Sequence, residues 1–344
     1  MDEQNRNLIL AMVLSLAVMM IWFVIFPPEQ PTPIEDQDIA AQNDGALTPP
    51  TTQQSADAPT TITQSDDAPV TVSAADLPRV AIQTDRLAGS ISLLGGRIDT
   101  LDLSDYRTEL EDGAPTVSLL APTNTPNPYF AYHGWWPELG SGLAFADLPN
   151  ANTPWSLISG ETLTPDSPLV MEWSNGKGLS FERQIEIDDN YMFTITQSVT
   201  NAGATDMRLS PFGQVERRGE PQDLSGFFII HEGAIRMADG ELDEIDYDKL
   251  PDSDFDREFQ GAVDRVEVET EGWLGFTDHY WMTLLIPEEG RPFSAIFNYQ
   301  DSGQSYQSIA RMEAVTVSPG ATVTVTSQLF AGAKEWETIR NYEA

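Results

Sequence analysis

Hydrophobic positions follow two different periods along this chain. Near the amino terminus, "LILAMVLSLAVMMIWFVIF" (Leu8–Phe26) is an apolar run of 19 residues in which Ser15 is the one polar member. At about 1.5 Å of rise per residue, such a run reaches roughly 28 Å as a helix, close to the ~30 Å hydrocarbon core of a bilayer. Secretory signal cores are shorter, about 7–15 residues, and end at small residues. This run ends in Trp22, Phe23, Val24, Ile25, Phe26, Pro27 and Pro28, with no small-residue cleavage site close behind. The pattern predicts an uncleaved membrane anchor carried by residues such as Leu8, Leu16, Trp22 and Phe26. Arg6 precedes the run, and the next basic residue is Arg79. That bias predicts a cytoplasmic amino terminus, with everything after Phe26 outside.

From about Pro78 the period shortens to two. "YMFTITQSVTN" (Tyr191–Asn201) sets Tyr191, Phe193, Ile195 and Val199 on one face and Met192 with a row of Thr and Ser on the other. "ATVTVTSQLF" (Ala321–Phe330), "LSFERQIEI" (Leu179–Ile187) and "RVEVET" (Arg265–Thr270) alternate in the same way. Alternation with one apolar face predicts half-buried antiparallel strands. Turn signals separate them at Ser174–Gly178, Asp188–Asn190, Asn201–Asp206 and Ser318–Gly320. Many strands without strand–helix alternation predict a mainly β fold, a large sandwich or stacked sheets. Gly95–Gly96 predicts a bend joining two strands, since it lacks the spacing of a phosphate loop. Only "GAKEWETIRNYEA" (Gly332–Ala344) predicts a helix, with Trp336, Ile339 and Tyr342 three apart on one face.

Between the two regimes, Pro27 to about Asp76 has no aromatic residue, no period and many Pro, Thr, Gln and Asp. Such a segment cannot bury enough apolar area to offset its ordering entropy, which predicts a disordered tether. About 50 flexible residues span on the order of 40 Å. Charge narrows the partners. Eighteen Lys and Arg against 54 Asp and Glu give a formal charge of −36. That balance opposes nucleic acid and anionic lipid surfaces, which attract basic patches. The absence of cysteine removes disulfides, thiolate nucleophiles and Cys-ligated metals.

Candidate chemistry is sparse. His133, His231 and His279 do not pair at metal spacing. His231–Glu232 and Asp278–His279 hold the residue types of sugar acid–base chemistry, but neighbours along a strand point to opposite faces. "DSDFDREFQGAVD" (Asp252–Asp264) begins like a calcium loop, yet Arg257 and Val263 stand where Gly and Glu are needed. A solvated acidic loop is expected there. "YFAYHGWW" (Tyr129–Trp136) is expected to pack in a core, with a binding platform as the alternative. The residues alone describe a binding or interaction domain.

Four stretches in order carry a resemblance: the opening "MDEQNRNLILAMVLSLAVMMIWFVIFPPE", "GSISLLGGRIDTLDLSDYRTEL" (Gly89–Leu110), "EGWLGFTDHYWMTLLIP" (Glu271–Pro287) and "LFAGAKEWETIRNY" (Leu329–Tyr342). Together they resemble the YidC membrane protein insertases of Gram-negative bacteria. Ala333 and His279 depart from the family's Pro and Lys, so neither position inherits a role. The resemblance implies an anchor over residues 1–27, a linker over 28–76, a periplasmic β-supersandwich over 77–331 and a terminal helix over 332–344. It implies insertion of inner-membrane proteins, alone or with the Sec translocon, without covalent chemistry or cofactor. Its partners would be the inner-membrane bilayer, Sec components and nascent membrane proteins, with no nucleic acid. The insertion groove of the family lies in five further spanning helices, so this chain is expected to be the N-terminal part of an insertase. Its folded domain would act as a docking and spacing module. Trp273 and Tyr280, expected on one strand, and Trp336, Ile339 and Arg340 on the helix are the candidate coupling surface. The competing expectation is a tethered carbohydrate-binding or mutarotase-like protein, with a pocket where His and carboxylate converge.

Overall fold

A computed structural model describes residues 60–62, 70–72 and 78–342, except 112, 222–223 and 225–229. The anchor residues Leu8, Leu16, Trp22 and Phe26 lie outside the described residues. Among the described residues, no helix is long and apolar enough to cross a membrane.

Alternating sequences become two large sheets. One has nine strands, in the order Glu241–Asp246, Gly233–Ala238, Gly272–Thr277, Trp281–Pro287, Thr322–Ala333, Met192–Asn201, Leu179–Ile187, Leu169–Ser174 and Ser156–Ser159. The other has twelve. Its main path runs Phe255–Asp256, Gly261–Val268, Phe293–Gln300, Ser305–Met312, Met207–Arg218, Tyr129–Pro137, Arg97–Arg107, Leu87–Ser92, Arg79–Gln83 and Thr162–Leu163. Val315–Val317 and Thr116–Leu120 pair beside it. The pairings are antiparallel, apart from the parallel contact of Arg79–Gln83 with Thr162–Leu163. The mainly β architecture follows the alternation.

Faces also follow it. Phe193, Ile195 and Val199 are fully buried, as are Leu179, Phe181 and Ile185 on the next strand. Their outward neighbours form a hydroxyl ladder with the strand beyond: Thr196–Thr326 at 3.2 Å, Ser198–Thr324 at 2.9 Å and Thr200–Thr322 at 2.8 Å. Such cross-strand pairs contribute roughly 0.2–1 kcal/mol each. The bend at Gly95 and Gly96 joins Leu87–Ser92 to Arg97–Arg107, with φ of 77° and 59°. Both are left-handed angles that favour glycine. Tyr129–Pro137 is buried on both faces over most of its length because it lies centrally in the larger sheet.

Four details differ from the sequence expectation. Within the stretch expected to be a featureless tether, Thr60–Ile62 and Val70–Val72 pair antiparallel. The acidic segment after Asp252 is a short hairpin, Phe255–Asp256 with Gly261–Val268, which buries Phe259. Trp273 and Tyr280 do not share a strand: Gly272–Thr277 ends before the turn at Asp278–Tyr280. The terminal helix begins at Trp336, since Gly332 and Ala333 complete a strand paired with Met282 and Trp281. Helical periodicity there was overridden by this long-range pairing.

Candidate coupling surface

The hairpin turn at Asp278–Tyr280 and the terminal helix meet at one end of the sandwich. Asp278 N–H donates to Trp281 O at 2.8 Å and closes the turn. The Asp278 carboxylate accepts from Arg217 Nη1 at 2.8 Å, and the same nitrogen donates to Tyr247 OH at 2.7 Å. Arg217 is buried, its guanidinium 4.5 Å from the Tyr129 ring centroid and 5.3 Å from that of Tyr247. Although burial disfavours its charge, the surrounding tyrosines and Asp278 raise its pKa further, so it stays a cation. The turn is therefore pinned from inside the core.

The chain leaving the last strand is tied to this turn. Lys334 N–H donates to Tyr280 O at 2.8 Å, and Lys334 Nζ donates to Thr277 Oγ1 at 3.1 Å. Burial lowers the Lys334 pKa, against the pull of Asp278, Glu232 and Glu244. The next residue, Glu335, accepts on Oε1 from Arg86 Nη2, from Tyr106 OH at 2.6 Å and from Tyr191 OH at 3.2 Å. Its Oε2 accepts from Thr338 Oγ1 at 2.7 Å, inside the first helical turn. Burial alone would raise this carboxyl, but the donors win and hold it at about 2.

Four of the five residues expected to couple the domain gather here. Trp336 is 72% exposed and Tyr280 62%. Ile339 is half-buried and Arg340 exposed. Tyr280 leans on His279 and Trp281, with centroids 3.9 and 5.9 Å away, and Trp281 meets Tyr106 edge-on at 4.9 Å. Trp273 is the exception. It is half-buried against the core at the opposite end of its strand, roughly 13 Å from Thr277 at the rise of a β-strand. Nor is the helical stripe Trp336–Ile339–Tyr342 the buried face: the side chain that the helix buries is Thr338.

Two features escaped sequence reasoning. Arg183 is 1% exposed and lies between the sheets, where Nη2 donates to His133 O and Nη1 to Gly95 O at 3.3 Å. Its guanidinium stands 4.5 Å from the Trp155 ring centroid. Burial pushes its pKa down to about 9, still a cation at neutral pH. A signal existed, because Arg183 occupies an inward position in "LSFERQIEI", between Phe181 and Ile185. The Glu335 cluster had none, since its partners are scattered over the chain.

The candidate groups for bond-making chemistry do not come together among the described residues. Among the described residues, no group of three or more His, Asp or Glu could hold a metal. His231 uses both ring nitrogens, Nε2 at 2.8 Å from Ala234 O and Nδ1 at 3.2 Å from Asp246. His133 is 2% exposed, and burial beside Arg183 lowers its pKa to about 3. A groove of about 570 Å³ on the nine-stranded sheet holds Glu172 and Glu182 among serines and threonines, with no histidine in its lining. It lacks the convergence of His and carboxylate that a mutarotase-like site requires.

The fold is thus a β-sandwich scaffold that fixes a surface, without an assembled catalytic centre among the described residues. A family model described as the YidC periplasmic domain matches residues 79–344. The chain belongs to that family. Membrane protein insertases YidC of Jannaschia sp. (strain CCS1) and Dinoroseobacter shibae are 49% and 48% identical to it, aligned over 100% of this chain. The alignments cover 55% and 56% of those relatives, so the chain spans about half their length. Among solved structures, a putative aldose 1-epimerase from Escherichia coli K12 superposes with a TM-score of 0.48 at 12% identity, over 74% of this chain and 98% of that one. A galactose mutarotase-like protein from Lactobacillus casei gives 0.48 at 8% identity, over 74% of this chain and 100% of that one.

Proposed function

We propose that this chain is the N-terminal part of a membrane protein insertase and that its sandwich is a tethered docking and spacing module. The observation that carries the reading is the match along the whole chain to proteins named as membrane protein insertases. The 19-residue apolar run anchors it in the inner membrane, amino terminus inside, with the linker to about residue 76 and the sandwich on the periplasmic side. Insertion itself belongs to the remaining half of the protein. A charged residue at mid-bilayer costs about 2.5–3.5 kcal/mol on insertion scales, and an acidic sandwich outside the bilayer cannot lower that. The module's work is therefore non-covalent: it holds partners, the Sec translocon among them, at a set distance from the membrane part while nascent membrane proteins pass.

Tyr280, Trp336, Ile339 and Arg340 form the coupling surface in this reading, while Trp273 supports the hairpin from the core side. Two large exposed aromatics at one end of a domain suit an interface whose partner is half apolar and half wet. The test is insertion of a reporter membrane protein by the full-length insertase. Internal deletion of the terminal helix, Trp336–Tyr342, or the milder pair Tyr280→Ala with Trp336→Ala, is expected to lower insertion several-fold. Unchanged insertion with either variant would remove the coupling role.

A further inference from the structure

The terminal helix cannot hold its own direction. It has seven residues, Trp336–Tyr342, well below the ~12–15 at which an isolated helix becomes even marginal in water. It buries one side chain, Thr338. Packing of that size leaves the helix free to swing. Tyr342 meets Phe330 edge-on at 6.0 Å, and the polar ties that further oppose swinging sit at the two ends of the helix.

At the first turn, the Glu335 carboxylate meets four donors. Arg86 comes from the turn before Leu87–Ser92 and Tyr106 from Arg97–Arg107, both in the twelve-stranded sheet. Tyr191 comes from the start of Met192–Asn201 in the nine-stranded sheet. Arg86 is itself held, donating to Asp105 at 3.0 Å and to Asn190 at 3.2 Å, with its guanidinium 4.3 Å from the Tyr191 ring centroid. At the last turn, Tyr342 OH donates to Asp188 and accepts from Tyr191 N–H at 3.3 Å. One carboxylate therefore ties both sheets to the helix, through charge-assisted bonds stronger than neutral ones.

We propose that Glu335 is a positioning residue that sets the direction in which the chain leaves the sandwich, making the module a stiff spacer at its carboxyl end. The consequence for insertion rests on the coupling role proposed above; the stiffness itself does not.

The absence of cysteine allows a direct test. Labels at Ser318→Cys and Asn341→Cys bracket the strand Thr322–Ala333, whose 12 residues extend roughly 40 Å. Electron–electron double resonance on the 344-residue chain in detergent should give one narrow distance. Glu335→Ala should widen the distribution at least twofold, and Glu335→Gln, which keeps an acceptor for both tyrosines, should fall between. Tyr106→Phe removes one donor and should widen it less. β-Sheet circular dichroism should stay unchanged in the glutamine and phenylalanine variants. Equal widths in all four proteins, narrow or broad, overturn the proposal. A widened distribution in Glu335→Ala with undiminished insertion by the full-length protein leaves the clamp standing and overturns the coupling role instead.

Discussion

At the scale of single residues, Arg183 is the most deeply buried of the arginines in the interior. Arg183 reaches across the sandwich to the carbonyls of His133 and Gly95, and Gly96 leaves the space it needs. A Cβ on Gly96 would stand 2.5 Å from Arg183 Nη1. Arg183→Met keeps the volume but leaves buried acceptors without a donor, each costing about 1–3 kcal/mol. The expected loss is about 2–4 kcal/mol in urea unfolding. His133, whose carbonyl receives Arg183, should remain neutral from pH 8 to 5 in nuclear magnetic resonance titration. Its pKa is lowered to about 3, so the unfolded chain binds the proton first and stability falls as pH drops below about 6.5. A shift of the His133 resonances near pH 6.5 would contradict this burial.

At the scale of elements, the terminal helix and the hairpin beside it owe their position to electrostatics. The Glu335 carboxyl is depressed from 4.5 to about 2. Its stabilising contribution is present above about pH 4.5 and is lost as pH falls toward 2. The Glu335→Gln chain should therefore show a flatter decline in stability across that window, read as melting midpoint against pH. Parallel acid profiles for the two proteins would mean that the carboxylate is not held ionised by its donors. The elements also show how far local pattern reaches. Alternation marked the strands from Leu179 to Asn201 and from Thr322 to Phe330, and Gly95–Gly96 marked the turn between Leu87–Ser92 and Arg97–Arg107. The helix start was misplaced because Gly332 and Ala333 are paired by Met282 and Trp281, some fifty positions earlier in the chain.

At the scale of the whole molecule, both sheets have edges that must not recruit another chain. The edge strand Glu241–Asp246 reads "ELDEID", four acids in six residues, of which Asp243 pairs with Arg236. Phe255–Asp256 and Thr162–Leu163, at the edges of the larger sheet, are two residues long. Charge and brevity both discourage edge-to-edge pairing. Replacing Glu241 and Glu244 by Thr should promote self-association at high protein concentration, measured by light scattering, with the sandwich still folded. A monodisperse sample would show that the charges do not guard that edge. The exposed pair Tyr280 and Trp336 predicts the opposite partition of effects: alanine at both should alter stability by less than about 0.5 kcal/mol, while insertion falls.

The sequence by itself determined which strand side chains face inward from Leu179 to Asn201, that Gly95–Gly96 is a turn, and to which family the chain belongs. These properties are local or collinear: a period of two, a glycine at positive φ, motifs in fixed order. The tertiary structure alone decided that the segment leading to Trp336 lies against Tyr280, while Trp273 sits at the far end of its own strand. It alone brought Arg86 to Glu335, 249 positions apart. Such meetings leave no local trace, because they arise when two sheets close on one another and bring together residues that no period relates.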